Sequence, residues 1–317
     1  MSILDQAALK SLQLPLASSQ QLAALRYCQG RYGQVSQYSQ DLLGGMAVKS
    51  RLEACKAMAQ PVESRLLFDY QQGLDYLETL DATVPLNPNQ LRQLHQQLNP
   101  QGGNWRSVML RLERRDKPGK NLRIPAGQQT IDRSIEQLLT QLQQVLDHGF
   151  EPLVVIPLFV LQFMQIFPFL DGNCRTALLL ARHLLIHHGH SVMCYIDLES
   201  EFATTERAFY RSLYQSSLGN DNPTLWLGYW WVLIKRLYHR FDRQIQHANI
   251  SPGRGSKTAL VKRFVNQQQQ PFRFNEVCIA FPTISPDQVR MALRGLRDNN
   301  IIRVEGKGRG AWWRKVE

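Results

Sequence analysis

The stretch PLVVIPLFVLQFMQIFPFL, Pro152 to Leu170, constrains the fold more than any other part of the 317-residue chain. It approaches the ~20 apolar residues that a helix needs to cross a bilayer. Yet Gln162 and Gln165 interrupt it, Pro157 and Pro168 punctuate it, and it runs straight into Asp171. A helix that is apolar all round and outside lipid must be wrapped by protein on every side. The expectation is a helical bundle built around this segment, with no membrane span.

The flanking sequence supplies the wrapping. QDLLGGMAVKSRLEACKAMA places Met46, Leu52 and Ala54 to Met58 at helical spacing, and LRQLHQQL, DRSIEQLLTQLQQVLDHG and TTERAFYRSLYQSSLG follow the same period. In LWLGYWWVLIKRLYHRF the residues Trp226, Trp230, Leu233 and Leu237 recur at helical spacing, which suits core or a dimer contact. Between Gly102 and Pro125 the period changes: Val108, Leu110 and Leu112 alternate with polar residues ahead of a Lys117-Pro118-Gly119-Lys120 turn, a hairpin signal. The N-terminus lacks the basic start and continuous apolar core of a secretion signal, so a cytoplasmic protein is expected. Five scattered cysteines without a CxxC pair predict buried thiols rather than zinc or disulfides.

Directly after the apolar helix, Asp171-Gly172-Asn173 leads into RTALLLARHLL. Unpaired N–H groups of a helix start, a glycine that permits close approach, and Arg175 gather at one point, which is how backbone cradles an anion such as phosphate. Asp171 could add a hard oxygen ligand for magnesium. The same three residues also make a plain helix cap, and both readings stand on these residues alone.

The segment FPFLDGNCRTAL resembles the signature loop of the Fic (filamentation induced by cAMP) family, HPFxDGNGRxxR. The resemblance extends from about Gln40 to Tyr238, through the helix with Leu94-His95, a candidate flap around Asn104-Trp105-Arg106, the loop itself and ERAFYRSLY. It implies transfer of AMP from ATP to a protein hydroxyl. In such proteins a histidine at the head of the motif acts as general base, an acid holds the metal, glycine-rich backbone cradles the phosphates, and the arginines neutralise them. Carried across, the acid is Asp171, the cradle Gly172 and Asn173, and the first arginine Arg175.

Three positions depart from that pattern. Phe167 stands where the histidine would be, and a phenyl ring has no lone pair for a proton; loss of a general base typically costs ~100- to 10,000-fold. Cys174 puts a Cβ where the second glycine lets backbone approach phosphate. Leu178 removes the second arginine, and Arg182 lies ~6 Å further along the helix axis. The family's inhibitory-helix motif, S/TxxxE(G/N), resembles KSRLEA, with Lys49 at the hydroxyl position and Glu53 at the glutamate. With Leu178 as its expected partner, Glu53 reads as a surface or capping carboxylate.

The formal charge is +11, and 13 Lys/Arg against 5 Asp/Glu fall after residue 250, so most of the basic excess belongs to the last segment. HANISPGRGSKTAL reads as a linker. Beyond it KTALVKRFVNQQ, RFNEVCIAF and SPDQVRMALRGLRDNN read as helices, the third started by Ser285 as N-cap and Pro286 at the first helical position. IIRVEGKGRGAWWRKVE then reads as a hairpin. Three helices and a hairpin are the order of a winged helix. Arg290, Arg294 and Arg297 share one face of the third helix, and Val289, Leu293 and Leu296 line the other, the division a DNA recognition helix needs. Arg303, Lys307, Arg309, Arg314 and Lys315 charge the wing. A protein-docking or dimerising module is the alternative reading. Trp312 and Trp313 could stack on a nucleotide, although one of them is expected to plug the small core.

His183 and His187, at i and i+4, have metal-compatible spacing without a third ligand nearby, and read as ordinary partners of a helix end. His95 reads as a hydrogen-bonded core histidine. The sequence as a whole predicts a mainly α protein: an N-terminal helical region over 1–90, a Fic-like helical bundle with a small β-hairpin flap over 91–250, and a C-terminal winged-helix domain over 251–317. The expected function is a pseudoenzyme with a DNA-binding winged helix, a transcriptional or regulatory protein. The alternative is an active protein adenylyltransferase with a relocated base. ATP and magnesium binding is expected to be weak or lost, and the expected partners are duplex DNA and a protein partner or homodimer.

Overall fold

The computed structural model describes residues 3–33, 35, 38–59, 64–81, 84–108, 110–113, 121–123, 130–217, 223–250, 261–262, 264–265, 268, 270–281, 284–306 and 311–316. The chain divides into two compact units, Met1–Arg243 and Gln244–Glu317.

The first unit is helical. Its elements run α1 (Gln6–Lys10), α2 (Leu16–Tyr32), α3 (Gln40–Met58), α4 (Ser64–Thr79), α5 (Pro88–Leu98), strands β1 (Arg111–Glu113) and β2 (Asn121–Arg123), α6 (Ile131–Asp147), α7 (Pro152–Ile166), α8 (Asn173–His187), a 3₁₀ turn (Ser191–Cys194), α9 (Leu198–Ser217) and most of α10 (Thr224–Ile250), whose residues from Gln244 on are counted with the second unit. The central apolar segment forms α7, and nearly all of its side chains are buried. Glu151 caps it by accepting from the Leu153 N–H at 3.1 Å, and Pro152 takes the first turn, where a missing N–H is harmless.

Pro157, inside the helix, cannot donate to the Leu153 carbonyl four residues back. Trp231 fills the gap: its indole Nε1 donates to that carbonyl at 2.8 Å. One turn further on, Trp226 Nε1 donates to the Pro157 carbonyl at 2.6 Å. The aromatic run of α10 thus repairs a broken backbone ladder, and Trp226, Trp230, Leu233 and Leu237 all lie in the core. In α3 the buried face is Leu43, Met46, Ser50, Ala54 and Cys55. Leu52, expected on that face, is half exposed, because it lies six residues beyond Met46, out of phase with a 3.6-residue period.

A buried ionic cluster joins three helices. Arg182 of α8 donates through Nε to the Met193 carbonyl at 3.1 Å, and its Nη1 lies 3.8 Å from Glu199 of α9. Tyr70 of α4 donates its hydroxyl to the same carboxylate at 2.9 Å, and Glu199 is fully buried. Arg182 therefore faces the interior. β1 and β2 pair antiparallel with Leu112 opposite Leu122; the turn at 117–120 lies outside the described residues. All five cysteines are unbridged. Among the described residues no helix is long and apolar enough to cross a membrane.

The second unit orders β3 (Phe272–Arg273), α11 (Phe274–Ala280), α12 (Pro286–Asp298), β4 (Ile302–Glu305) and β5 (Trp312–Lys315). Its sheet is antiparallel in the order β3-β5-β4. Val261, Phe272, Val277, Val289, Leu293 and Ile302 are among the residues of its core, and Trp313 packs against it. Arg273, expected to open a helix, stands in a strand with Phe272 instead, since pairing with Trp312 and Trp313 puts the Phe272 ring into that core. Ser285 caps α12 by accepting from the Gln288 N–H, with Pro286 in the first turn. The linker 251–260 and the hairpin tip with Lys307 and Arg309 lie outside the described residues, as does most of KTALVKRFVNQQ, whose residues 261–262 and 264–265 are helical.

Candidate functional site

The loop between α7 and α8 is set by two left-handed residues. Phe167 ends α7 at φ 50°, ψ 65°, and Gly172 opens α8 at φ 63°. A non-glycine residue in that region carries strain of order 1 kcal/mol. Arg106 holds it there. Its Nε donates to the Phe167 carbonyl and its Nη1 to the Val108 carbonyl, both at 2.8 Å, its Nη2 reaches the Ile166 carbonyl at 3.4 Å, and its own N–H donates to the Pro168 carbonyl at 2.8 Å.

Asn173, at the first position of α8, is buried and braces the loop from inside. Its Oδ1 accepts from the Phe169 N–H at 3.0 Å, and its Nδ2 donates to the carbonyls of Phe169 and Asp171 at 2.9 and 3.2 Å. The side chain is thus occupied by the loop, and what Asn173 can offer a ligand is backbone. Phe169 stacks on His95 with centroids 3.8 Å apart and planes 4° from parallel.

His95 has both nitrogens engaged. Gly103 N–H donates to Nδ1 at 2.9 Å, which makes Nε2 the protonated nitrogen, and Nε2 donates to the Asp171 carbonyl at 3.2 Å. Burial holds its pKa below the ordinary value, although the Asp171 carbonyl and carboxylate pull the other way. It is a strut rather than a proton acceptor. A Cβ at Gly172 would come within 3.1 Å of His95 Nε2, and one at Gly102 within 2.4 Å of Nδ1, so both glycines are needed for the ring to fit.

The loop forms one wall of a cleft of about 600 Å³ lined by Phe167, Leu170 to Arg175, Met164, Phe202, Glu206 and Tyr210, and by Ala57 and Met58 from the end of α3. The Asp171 carboxylate is 59% exposed and accepts from the Asn99 amide at 3.1 and 3.2 Å. Arg175 is half-buried, and its guanidinium lies over Gly172, within 3.8 Å of where a Cβ would stand. The start of α8, Gly172 and Arg175 therefore meet at one place suited to a small anion.

An extended triphosphate with its metal fits less well. Leu178 is 1% exposed, in the core; Arg182 is turned to Glu199; Arg175 is the one cation among the described residues that line the cleft. Phe167 is among the residues that line the cleft, and no histidine is among the described residues that line it. Glu53 pairs with Lys56 at 3.2 Å on the partly exposed side of α3 and is not among the lining residues.

In the second unit Arg290, Arg294 and Arg297 are all exposed on α12. Arg290 pairs with Asp287 at 2.7 Å and lies 5.1 Å from the Phe274 ring, and Arg297 pairs with Asp298 at 2.8 Å. His183 and His187 stand edge to face at 4.3 Å, and no group of three or more metal-ligating side chains occurs among the described residues. Asn99, Arg106 and the double engagement of His95 were not legible in the sequence. Each joins residues more than sixty positions apart or depends on a loop carbonyl, and no local pattern marks such contacts.

A helical bundle whose buried central helix ends in a braced loop that opens the next helix defines the class of protein. Residues 85–185 match the Fic/DOC family. The structure is similar to a Fic family protein from Desulfovibrio desulfuricans G20, with 16% identity, TM-score 0.64, and 96% of this chain and 97% of that one covered. It is also similar to a Fic domain containing signaling protein from Bacteroides thetaiotaomicron VPI-5482, with 16% identity, TM-score 0.57, and 71% and 97% covered. Fic-1 from C. elegans follows at 14% identity, TM-score 0.55, and 74% of each chain covered. The fold is Fic-like. No curated protein matches in sequence.

Proposed function

We propose that the chain is a Fic-fold pseudoenzyme in which the loop is kept as a braced structural element and AMP transfer by a motif histidine is lost. The observation that carries this is the head of the loop. Phe167 offers no lone pair where a base would stand, and the nearby His95 has both nitrogens engaged. A base must lie within hydrogen-bond reach of the hydroxyl proton with a free acceptor. The buried Leu178 adds a second reason, since among the described residues that line the cleft terminal phosphate charge has no cation besides Arg175 to meet. Asp171, Gly172, the Asn173 backbone and Arg175 would then serve a weak anion site, with Asp171 a residual carboxylate for magnesium. Glu53, beside Lys56, acts as a surface carboxylate in this reading.

The second unit we read as a winged helix that binds duplex DNA, with Arg290, Arg294 and Arg297 of α12 toward the duplex and Lys307 and Arg309 on the wing. The order of helices and sheet and the exposed arginines opposite a buried Val289–Leu293–Leu296 stripe support this. The division into 1–90, 91–250 and 251–317 belongs to the same proposal. The whole would be a DNA-binding regulator.

Two assays test it. Incubation of the purified chain with labelled ATP, magnesium and lysate is expected to label nothing, and Phe167→His alone is expected to restore no transfer because position 178 remains apolar. Robust labelling by the unaltered chain would instead establish an adenylyltransferase with a relocated base. Duplex DNA is expected to retain the chain at low salt and release it on replacing Arg290 and Arg294 with alanine; no retention at low salt would leave a protein-docking module.

A further inference from the structure

The outer face of the three-stranded sheet in the second unit has a composition that folding alone does not require. Alternate residues of a strand share a face. Phe272, Ile302 and Trp313 turn to the core, which leaves Arg273, Trp312, Arg314, Arg303 and Glu305 on the other side. Arg303 stands directly opposite Arg314 in the register, a like-charge pair that weakens a sheet. Glu305 relieves it in part, lying 3.2 Å from Arg303 and 3.8 Å from Arg314. Trp312 is 38% exposed, with the Arg273 guanidinium 4.3 Å from its ring centroid. Beside these residues runs a cleft of about 870 Å³ that Gln268, Gln270, Arg303, Arg314 and Lys315 help to line.

We propose that this sheet face and cleft bind single-stranded nucleic acid. A duplex hides the faces of its bases in the stack. An unpaired base exposes one, and an exposed tryptophan with the Arg273 guanidinium over its ring offers an indole and a planar cation for such a base to stack on. Arg303, Arg314 and Lys315 suit the phosphates, and the carboxamides of Gln268 and Gln270 can both donate to and accept from the exposed edge of a base. An acidic peptide would use the cations but would leave the indole and the amides without a role. The site goes beyond the proposed duplex contact on α12 and does not depend on it.

The test is fluorescence anisotropy with a labelled oligodeoxythymidine and the full chain, beside a duplex of equal length. The oligomer is expected to bind at low salt, and its affinity to fall roughly 20-fold between 50 and 200 mM salt, as three neutralised phosphates would require. Trp312→Ala is expected to weaken it about tenfold or more, the loss of one stacked base, and Trp312→Phe to retain most of the binding. Arg303→Ala with Arg314→Ala should flatten the salt dependence, and Arg290→Ala with Arg294→Ala should leave the oligomer bound. The proposal is overturned if the oligomer fails to bind at low salt, if Trp312→Ala binds as tightly as the unaltered chain with its fold intact by circular dichroism, or if polyglutamate displaces the oligomer at equal charge. Duplex binding that fails while the oligomer binds refutes the α12 reading and leaves this one standing.

Discussion

Replacing Arg106 with alanine tests whether the signature loop is held from outside its own sequence. Arg106 is 3% exposed, and its guanidinium makes two bonds of 2.8 Å, to the carbonyls of Phe167 and Val108, with a third contact to Ile166 at 3.4 Å. Hydrogen bonds to a charged group are worth ~1.5–3 kcal/mol each. The two short ones together give about 3–5 kcal/mol, since the carbonyls they release are partly reached by water once the side chain is gone. Arg106→Lys keeps the charge but loses the planar fork, and is expected to cost about half as much. Urea unfolding followed by circular dichroism gives the free energy, and hydrogen exchange at the Phe169 amide, which Asn173 holds, gives the loop. A loss below ~0.5 kcal/mol for Arg106→Ala, the scale of an ordinary surface change, with unchanged exchange at Phe169, would refute the view that this arginine holds the loop.

Asn173→Ala removes three hydrogen bonds from a buried site and leaves the Phe169 N–H and carbonyl unpaired, for an expected ~2–4 kcal/mol in the same unfolding assay. Gly172→Ala adds a Cβ at φ 63° against His95, and about 1–2 kcal/mol is expected, read as a lower melting temperature. Burial, aided by neighbouring charge, pushes the pKa of His183 and His190 down to about 4. Each is neutral when folded and titrates near 6.5 when unfolded, so the unfolded chain binds more protons between those values. Stability is then full above about pH 6.5 and falls by up to ~3 kcal/mol per histidine as pH drops toward 4; His190→Gln should flatten part of that fall in a pH series of urea melts.

Much of the fold was legible because it rests on local periodicity. The apolar run at Pro152, the α12 stripe and the Ser285-Pro286 start each state their structure within a few turns. Leu52 misled because apolar residues crowd a segment whose phase excludes it, and Arg273 because strand pairing with the distant Trp312 outweighs a local helical preference. In the loop, the residue types at Asp171, Gly172 and Arg175 announced a possible anion site. What they could not announce was that Asn173 is committed to the loop itself, that Asn99 already meets the Asp171 carboxylate, or that a histidine lies underneath with no acceptor to spare. Those facts depend on segments brought together by the tertiary fold.

The buried trio of Tyr70, Arg182 and Glu199 bears on how this chain can be cut. Arg182 falls within residues 85–185, whereas its carboxylate and the phenol bound to it flank that stretch on opposite sides. An excised peptide of that span would aim a guanidinium at nothing, and its proline-broken helix would forfeit the indoles of Trp226 and Trp231. The smallest piece able to fold on these terms must include helices from both ends of the first unit, so the recognisable stretch is the middle of a body and no module in its own right.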